Sequence, residues 1–95
     1  MAVTAAATFC ATLVDEWVRC GVRAAFVAPG SRSTPMGVAL AAHPRINVNV
    51  HVDERGASFM ALGAALASGV PSVALCTSGT AAAEFHAAVI EAHQS

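Results

Sequence analysis

From Ile46 to Val52 apolar and polar residues alternate, with Ile46, Val48, Val50 and Val52 on one side and Asn47, Asn49 and His51 on the other. A period of two with β-branched residues on one face predicts a strand over 46–52. Two shorter apolar runs, "RAAFVA" (23–28) and "SVALCT" (72–77), read as buried strands, the first ended by Pro29-Gly30. Between these runs the period becomes helical. Phe9, Leu13 and Trp17 recur at helical spacing with Thr4 placed to cap and Gly21 at the C′ position, which predicts a helix over 4–20. "PMGVALAAH" (35–43) opens on Pro35, a favoured first helical residue, and stays apolar as far as Pro44. Residues 54–68, stopped by Gly69-Val70-Pro71, and "SGTAAAEFHAAVIEAH" (78–93) complete the set.

The order is therefore αβαβαβα. Strands separated by helices of this length imply right-handed crossovers and a parallel sheet with helices on both faces, an α/β fold. In the helix over 54–68, Phe59, Met60, Leu62 and Leu66 read as core, with Gly56, Ala57, Gly63 and Ala64 permitting close packing. Three strands are few for an open parallel sheet, so the chain reads as one incomplete domain over residues 1–95.

Composition narrows the setting. Only 12% of the 95 residues are charged and 56% are hydrophobic, against roughly a quarter charged in ordinary globular domains, which fits a part of something larger. A net charge of -1 and scattered basic residues favour neither nucleic acid nor an anionic membrane as partner. Three cysteines (Cys10, Cys20 and Cys76), odd in number and without a CxxC pattern, argue against a disulfide framework or zinc site and for a reducing, cytoplasmic setting. The apolar opening lacks the basic n-region of a signal peptide, and polar residues interrupt every run short of a membrane span.

In open α/β sheets, ligands bind beyond the carboxyl ends of the strands. Three polar segments occupy those positions: "PGSRST", "DERG" and "TSGT", each leading into a helix N-terminus that favours anions. In the first, the Arg32 guanidinium beside Ser31 can grip a carboxylate or phosphate with two bonds, or the segment is a turn with Ser33 or Thr34 as helix cap. In the second, Asp53 caps the following helix and Glu54 either complements its dipole or does chemistry. If the alternation persists past Val52, Glu54 points to the side of Val48, Val50 and Val52, where apolar surroundings would suit proton exchange near neutrality. In the third, Ser78 and Thr80 flank Gly79, which suits close approach of backbone to a flat ligand or else a glycine turn with a threonine cap. His43, His51, His86 and His93 form no metal-ligand pair and read as structural or exposed.

Together "APGSRSTP" (28–35), "HVDERGASFMALGAA" (51–65) and "CTSGTAAAEFHAAVIEA" (76–92), in that order and spacing, resemble the N-terminus of the 2-succinyl-5-enolpyruvyl-6-hydroxy-3-cyclohexene-1-carboxylate synthases, thiamine-diphosphate enzymes of menaquinone biosynthesis. The resemblance implies the N-terminal part of a pyrimidine-binding domain, with Glu54 hydrogen-bonded to the aminopyrimidine ring as the catalytic acid and Ser78, Gly79 and Thr80 beside the cofactor. It implies that Ser31 and Arg32 face isochorismate and that 2-oxoglutarate is the other substrate. It further implies a homo-oligomer, and Mg2+ and diphosphate ligands in domains not contained in these 95 residues, so that the chain alone is expected to be inactive. The competing expectation is a non-catalytic or split-subunit α/β module that contributes half a site to a partner chain.

Overall fold

The computed structural model describes residues 4–95; Met1–Val3, at the start of the apolar opening, lie outside the described residues. Nine segments follow one another: α1 (Ala5–Arg19), β1 (Ala24–Val27), a 3-10 turn (Ser31–Ser33), α2 (Thr34–Ala42), β2 (Asn47–Val50), α3 (Glu54–Ser68), β3 (Val73–Leu75), α4 (Ala81–Glu84) and α5 (His86–Gln94). The three strands form one parallel sheet in the order β2-β1-β3, with β1 in the middle.

The caps act as their chemistry dictates. The Thr4 hydroxyl accepts the Ala7 N–H at 3.0 Å, and Asp53 Oδ2 accepts the Gly56 N–H at 3.2 Å. Helix α1 ends with Gly21 at φ +106: Gly21 N–H bonds Val18 O, and Val22 N–H bonds Trp17 O, both at 3.0 Å. This pair of bonds satisfies carbonyls that the helix end leaves without partners. Two ends differ from the sequence expectation. Helix α2 begins at Thr34 after the 3-10 turn, and the helix expected over 78–93 starts at Ala81 and tightens at Phe85, whose N–H bonds back to Ala82 O at 3.1 Å.

Alternation along β1 builds two cores. Ala25 and Val27 face α1 and α2, closing on Val14, Val18, Val22, Leu40 and Ile46. Phe26 and Ala28 face the other way onto Ala57 and Ala61 of α3. The sheet is thus covered on both faces, as the element order implies.

The residues doing the covering are smaller than expected. In α1 the buried positions are Cys10, Val14 and Val18, one step round from the Phe9-Leu13-Trp17 stripe, and Phe9 is 67% exposed. In α3 the large residues expected as core, Phe59, Met60 and Leu66, are exposed and Leu62 is half-buried. Ala57, Ser58 and Ala61 are buried in their place, because the helix sits close to the sheet and only short side chains fit between.

A clamp on the far side joins α1 to the turn after α2. Asp15 bonds Arg19 at 2.9 Å and His43 Nε2 at 3.3 Å, while His43 Nδ1 accepts the Arg45 N–H at 3.1 Å. The Arg19 guanidinium, then His43, hold the Asp15 carboxyl below the usual carboxylate range. The linked stabilisation is present above that range and lost as pH falls through the depressed value, and it is small because the Asp15–Arg19 pair lies in solvent.

Candidate functional site

The carboxyl ends of all three strands lie on one edge because the sheet is parallel, and backbone bonds tie their exits together. His51 N–H bonds Val27 O, and Ala28 N–H bonds Leu75 O, each at 2.9 Å. The first and third loops also touch through side-chain space. A Cβ at Gly30 would collide with Thr77, whose Oγ1 would stand 2.8 Å away, so the close approach of "PGSRST" to "TSGT" depends on that glycine.

Glu54 is the first residue of α3 and is half-buried. Its position corrects one expectation. Strand β2 stops at Val50, Val52 is 90% exposed, and the chain crosses the edge of the sheet before α3 begins. The alternation therefore does not carry to Glu54, which opens the helix packed on the Phe26 and Ala28 face, opposite the face that Val48 joins. Burial, and secondarily the Glu54 charge, push the half-buried Cys76 thiol above its ordinary range. The Glu54 charge is thus felt at the residue that follows β3. Among the described residues, no side-chain hydrogen bond engages the Glu54 carboxyl, whereas the neighbouring Asp53 is committed to its cap.

In the first loop the hydroxyls turn inward. Ser33 Oγ donates to Gly30 O at 3.0 Å and Thr34 Oγ1 to the same carbonyl at 3.5 Å, so neither side chain caps α2. Ser31 and Arg32 are exposed, and no hydrogen bond or ion pair among the described residues holds the Arg32 guanidinium. Beneath this loop an apolar cavity of about 250 Å³ is lined by Val27, Gly30, Ser33, Thr34, Val48 and Val50, on the α2 face and away from Glu54.

In the third loop Gly79 has φ +78 with open space where a Cβ would stand. The turn thus requires glycine and leaves its backbone accessible. Ser78 and Thr80 are exposed, and the Thr80 hydroxyl does not cap α4. The structure therefore joins the first loop to the third through Gly30 and Thr77, while Glu54 reaches Cys76 through its charge alone. It forms no bond between Arg32 and Glu54. Thr77 and His51 were not singled out as site residues from sequence; for His51 the available signal was its position two residues before a helix-capping aspartate, the spacing of a side-chain-closed turn.

The position of Glu54 is open to a chemical test. Replacing Glu54 with glutamine removes the charge that helps keep the Cys76 thiol protonated, so alkylation of Cys76 by iodoacetamide at pH 8 is expected to quicken. Mass-spectrometric rates at Cys76, set against exposed Cys20 in the same sample, read the effect. An unchanged ratio would place Glu54 away from the β3 end.

Comparison with known proteins adds two findings. Residues 7–95 match the family described as "Thiamine pyrophosphate enzyme, N-terminal TPP binding domain". The chain is also similar to proteins named 2-succinyl-5-enolpyruvyl-6-hydroxy-3-cyclohexene-1-carboxylate synthase. It is 54% identical over 87 residues to that of Roseiflexus castenholzii, covering 92% of this chain and 15% of the relative. To that of Thermobifida fusca it is 59% identical over 83 residues, covering 87% and 15%. To that of Haloarcula marismortui it is 60% identical over 84 residues, covering 88% and 14%. The chain thus spans about 15% of the length of these relatives.

Proposed function

Since the chain belongs to the thiamine pyrophosphate enzymes through their N-terminal TPP-binding domain, we propose that it supplies the pyrimidine-facing half of a synthase site. That synthase decarboxylates 2-oxoglutarate and adds the remaining four-carbon unit to isochorismate in menaquinone biosynthesis. The observation that carries the reading is Glu54: a half-buried carboxyl at a helix start, on the edge where the parallel strands end, with no described side-chain partner. Similarity to the named synthases supports this choice of substrates.

The residues present fit one end of the cofactor. Glu54 offers a free acceptor at the helix edge, and the exposed Gly79 backbone admits a flat ring. When bound, thiamine diphosphate supplies the electron sink that makes loss of carbon dioxide from a 2-oxo acid accessible. Glu54 would hold and return a proton at the pyrimidine nitrogen, the work of a positioned carboxyl. Ser78 and Thr80, exposed on either side of Gly79 in the chain, would offer hydroxyls to the cofactor. Arg32, with Ser31, grips a carboxylate of isochorismate through two parallel N–H bonds. We assign Mg2+ and the diphosphate to parts of the longer synthase that these 95 residues do not include, as the much greater length of the named relatives allows. We place the complete enzyme in the cytoplasm as a homo-oligomer and expect the 95 residues alone to be inactive. No helix among the described residues is long and apolar enough to cross a membrane.

The test is product formation by the complete enzyme with thiamine diphosphate, Mg2+, 2-oxoglutarate and isochorismate, comparing wild type with Arg32→Ala. Loss of a bidentate carboxylate contact costs about 1.5–3 kcal/mol. Isochorismate should therefore bind more weakly by one to two orders of magnitude, roughly, while carbon dioxide release from 2-oxoglutarate alone is unchanged. Absence of wild-type turnover overturns the reading, and equal damage to both substrates overturns the role of Arg32.

A further inference from the structure

We propose that His51 is a positioning residue for Glu54: its ring closes the turn between β2 and α3 and, by packing on Gly56, sets where the Glu54 carboxyl stands. The inference rests on the role given to Glu54 above. Glu54 is suspended between anchors on both sides. Upstream, His51 N–H is bonded to Val27 O of the central strand at 2.9 Å. Downstream, Asp53 Oδ2 accepts Gly56 N–H at 3.2 Å and Asp53 O accepts Ala57 N–H at 2.9 Å. The His51 ring joins the two. Its Nδ1 stands 3.3 Å from Asp53 N and 3.2 Å from Asp53 O. Asp53 O already has Ala57, whereas Asp53 N–H has only the ring among the described residues, so Nδ1 is the acceptor and the proton sits on Nε2.

The second contact is steric. A Cβ at Gly56 would stand 2.8 Å from His51 Cε1, 3.2 Å from Nδ1 and 3.3 Å from Asp53 Oδ2. The ring therefore stands where a Cβ at position 56 would enter, and must shift to admit one. Glycine early in a helix is less favourable than alanine, and Gly56 carries no positive φ that would require it. Glycine at this position leaves the ring the room it occupies.

The experiment uses the complete enzyme and four variants: His51→Ala, His51→Asn, Gly56→Ala and the His51→Ala/Gly56→Ala pair. His51→Ala is expected to lower kcat about tenfold or more, since a misplaced catalytic group costs up to about a hundredfold, with both KM values nearly unchanged. His51→Asn restores most of kcat, because an asparagine oxygen also accepts the N–H two residues on. Gly56→Ala lowers kcat by displacing the ring yet leaves the melting temperature level or raised, and adds no loss once His51 is alanine.

Amide hydrogen exchange on cofactor-free protein gives the independent readout. The Asp53 amide, whose N–H the ring accepts, exchanges faster in His51→Ala and Gly56→Ala, and at the wild-type rate in His51→Asn. Undiminished kcat in His51→Ala, or independent losses in the double variant, overturns the proposal. Should wild type show no thiamine-diphosphate-dependent turnover, the functional reading fails, and the exchange rates still decide whether His51 holds the turn.

Discussion

Replacing Glu54 with glutamine is expected to lower turnover of the complete enzyme by about 10²–10⁴-fold, the usual contribution of a positioned acid or base, while leaving the fold intact. The amide keeps the shape and hydrogen-bonding reach of the side chain but cannot gain and lose the proton. Stability should hold because Asp53, not Glu54, provides the cap of α3 through Gly56 N–H. Deuterium exchange at the acidic carbon of bound thiamine diphosphate, followed by NMR, separates this step from substrate binding. Wild-type exchange in Glu54→Gln would remove Glu54 from the chemistry.

The second large effect belongs to Gly30. Its φ of −165° is extended backbone open to any residue, so the penalty for Gly30→Ala is purely steric. The three nearest atoms to the added methyl all belong to the Thr77 side chain, and the closest is Thr77 Cβ itself. Forcing a methyl into that contact should cost about 1–3 kcal/mol, read as a lowered urea midpoint with an unchanged slope. The rescue pattern is specific. Thr77→Ala keeps the offending Cβ and should restore little, whereas Thr77→Gly removes it and should recover most of the loss. Full rescue by Thr77→Ala would show that the loops do not meet as described.

Much of this architecture was legible in the chain. The alternation of Val48 with Asn47 and Asn49, the proline-glycine stop after β1 and the capping residues Thr4 and Asp53 carry local signals, and each produces its element nearly where expected. The layer of each side chain was less legible. Periodicity finds the stripe Phe9-Leu13-Trp17 but cannot say how far α1 stands from β1, and that distance selects Cys10, Val14 and Val18 instead. The same holds for Glu54. Its place among polar residues at a strand end was readable, but the face it occupies depends on where β2 stops, and the exposed Val52 marks an alternation that outlasts the ladder. The contact of Gly30 with Thr77 joins residues 47 apart in sequence and leaves no pattern in either segment alone.

The alanine seam of α3 has a consequence in genetics. Ala57 is 0% exposed against Phe26 and Ala28, and Ala61 is buried next to it. A single base change in an alanine codon yields glycine, serine, threonine, valine, proline, or an acidic residue. Most of these are larger than alanine, and proline also breaks helices. At Ala57 a larger side chain lifts α3 from the sheet, and Glu54, one turn away, moves with it. The exposed Phe59 and Leu66 face no such limit within this domain. Random mutagenesis scored for activity should therefore recover loss-of-function changes at an apparently featureless alanine more often than at these two large apolar residues.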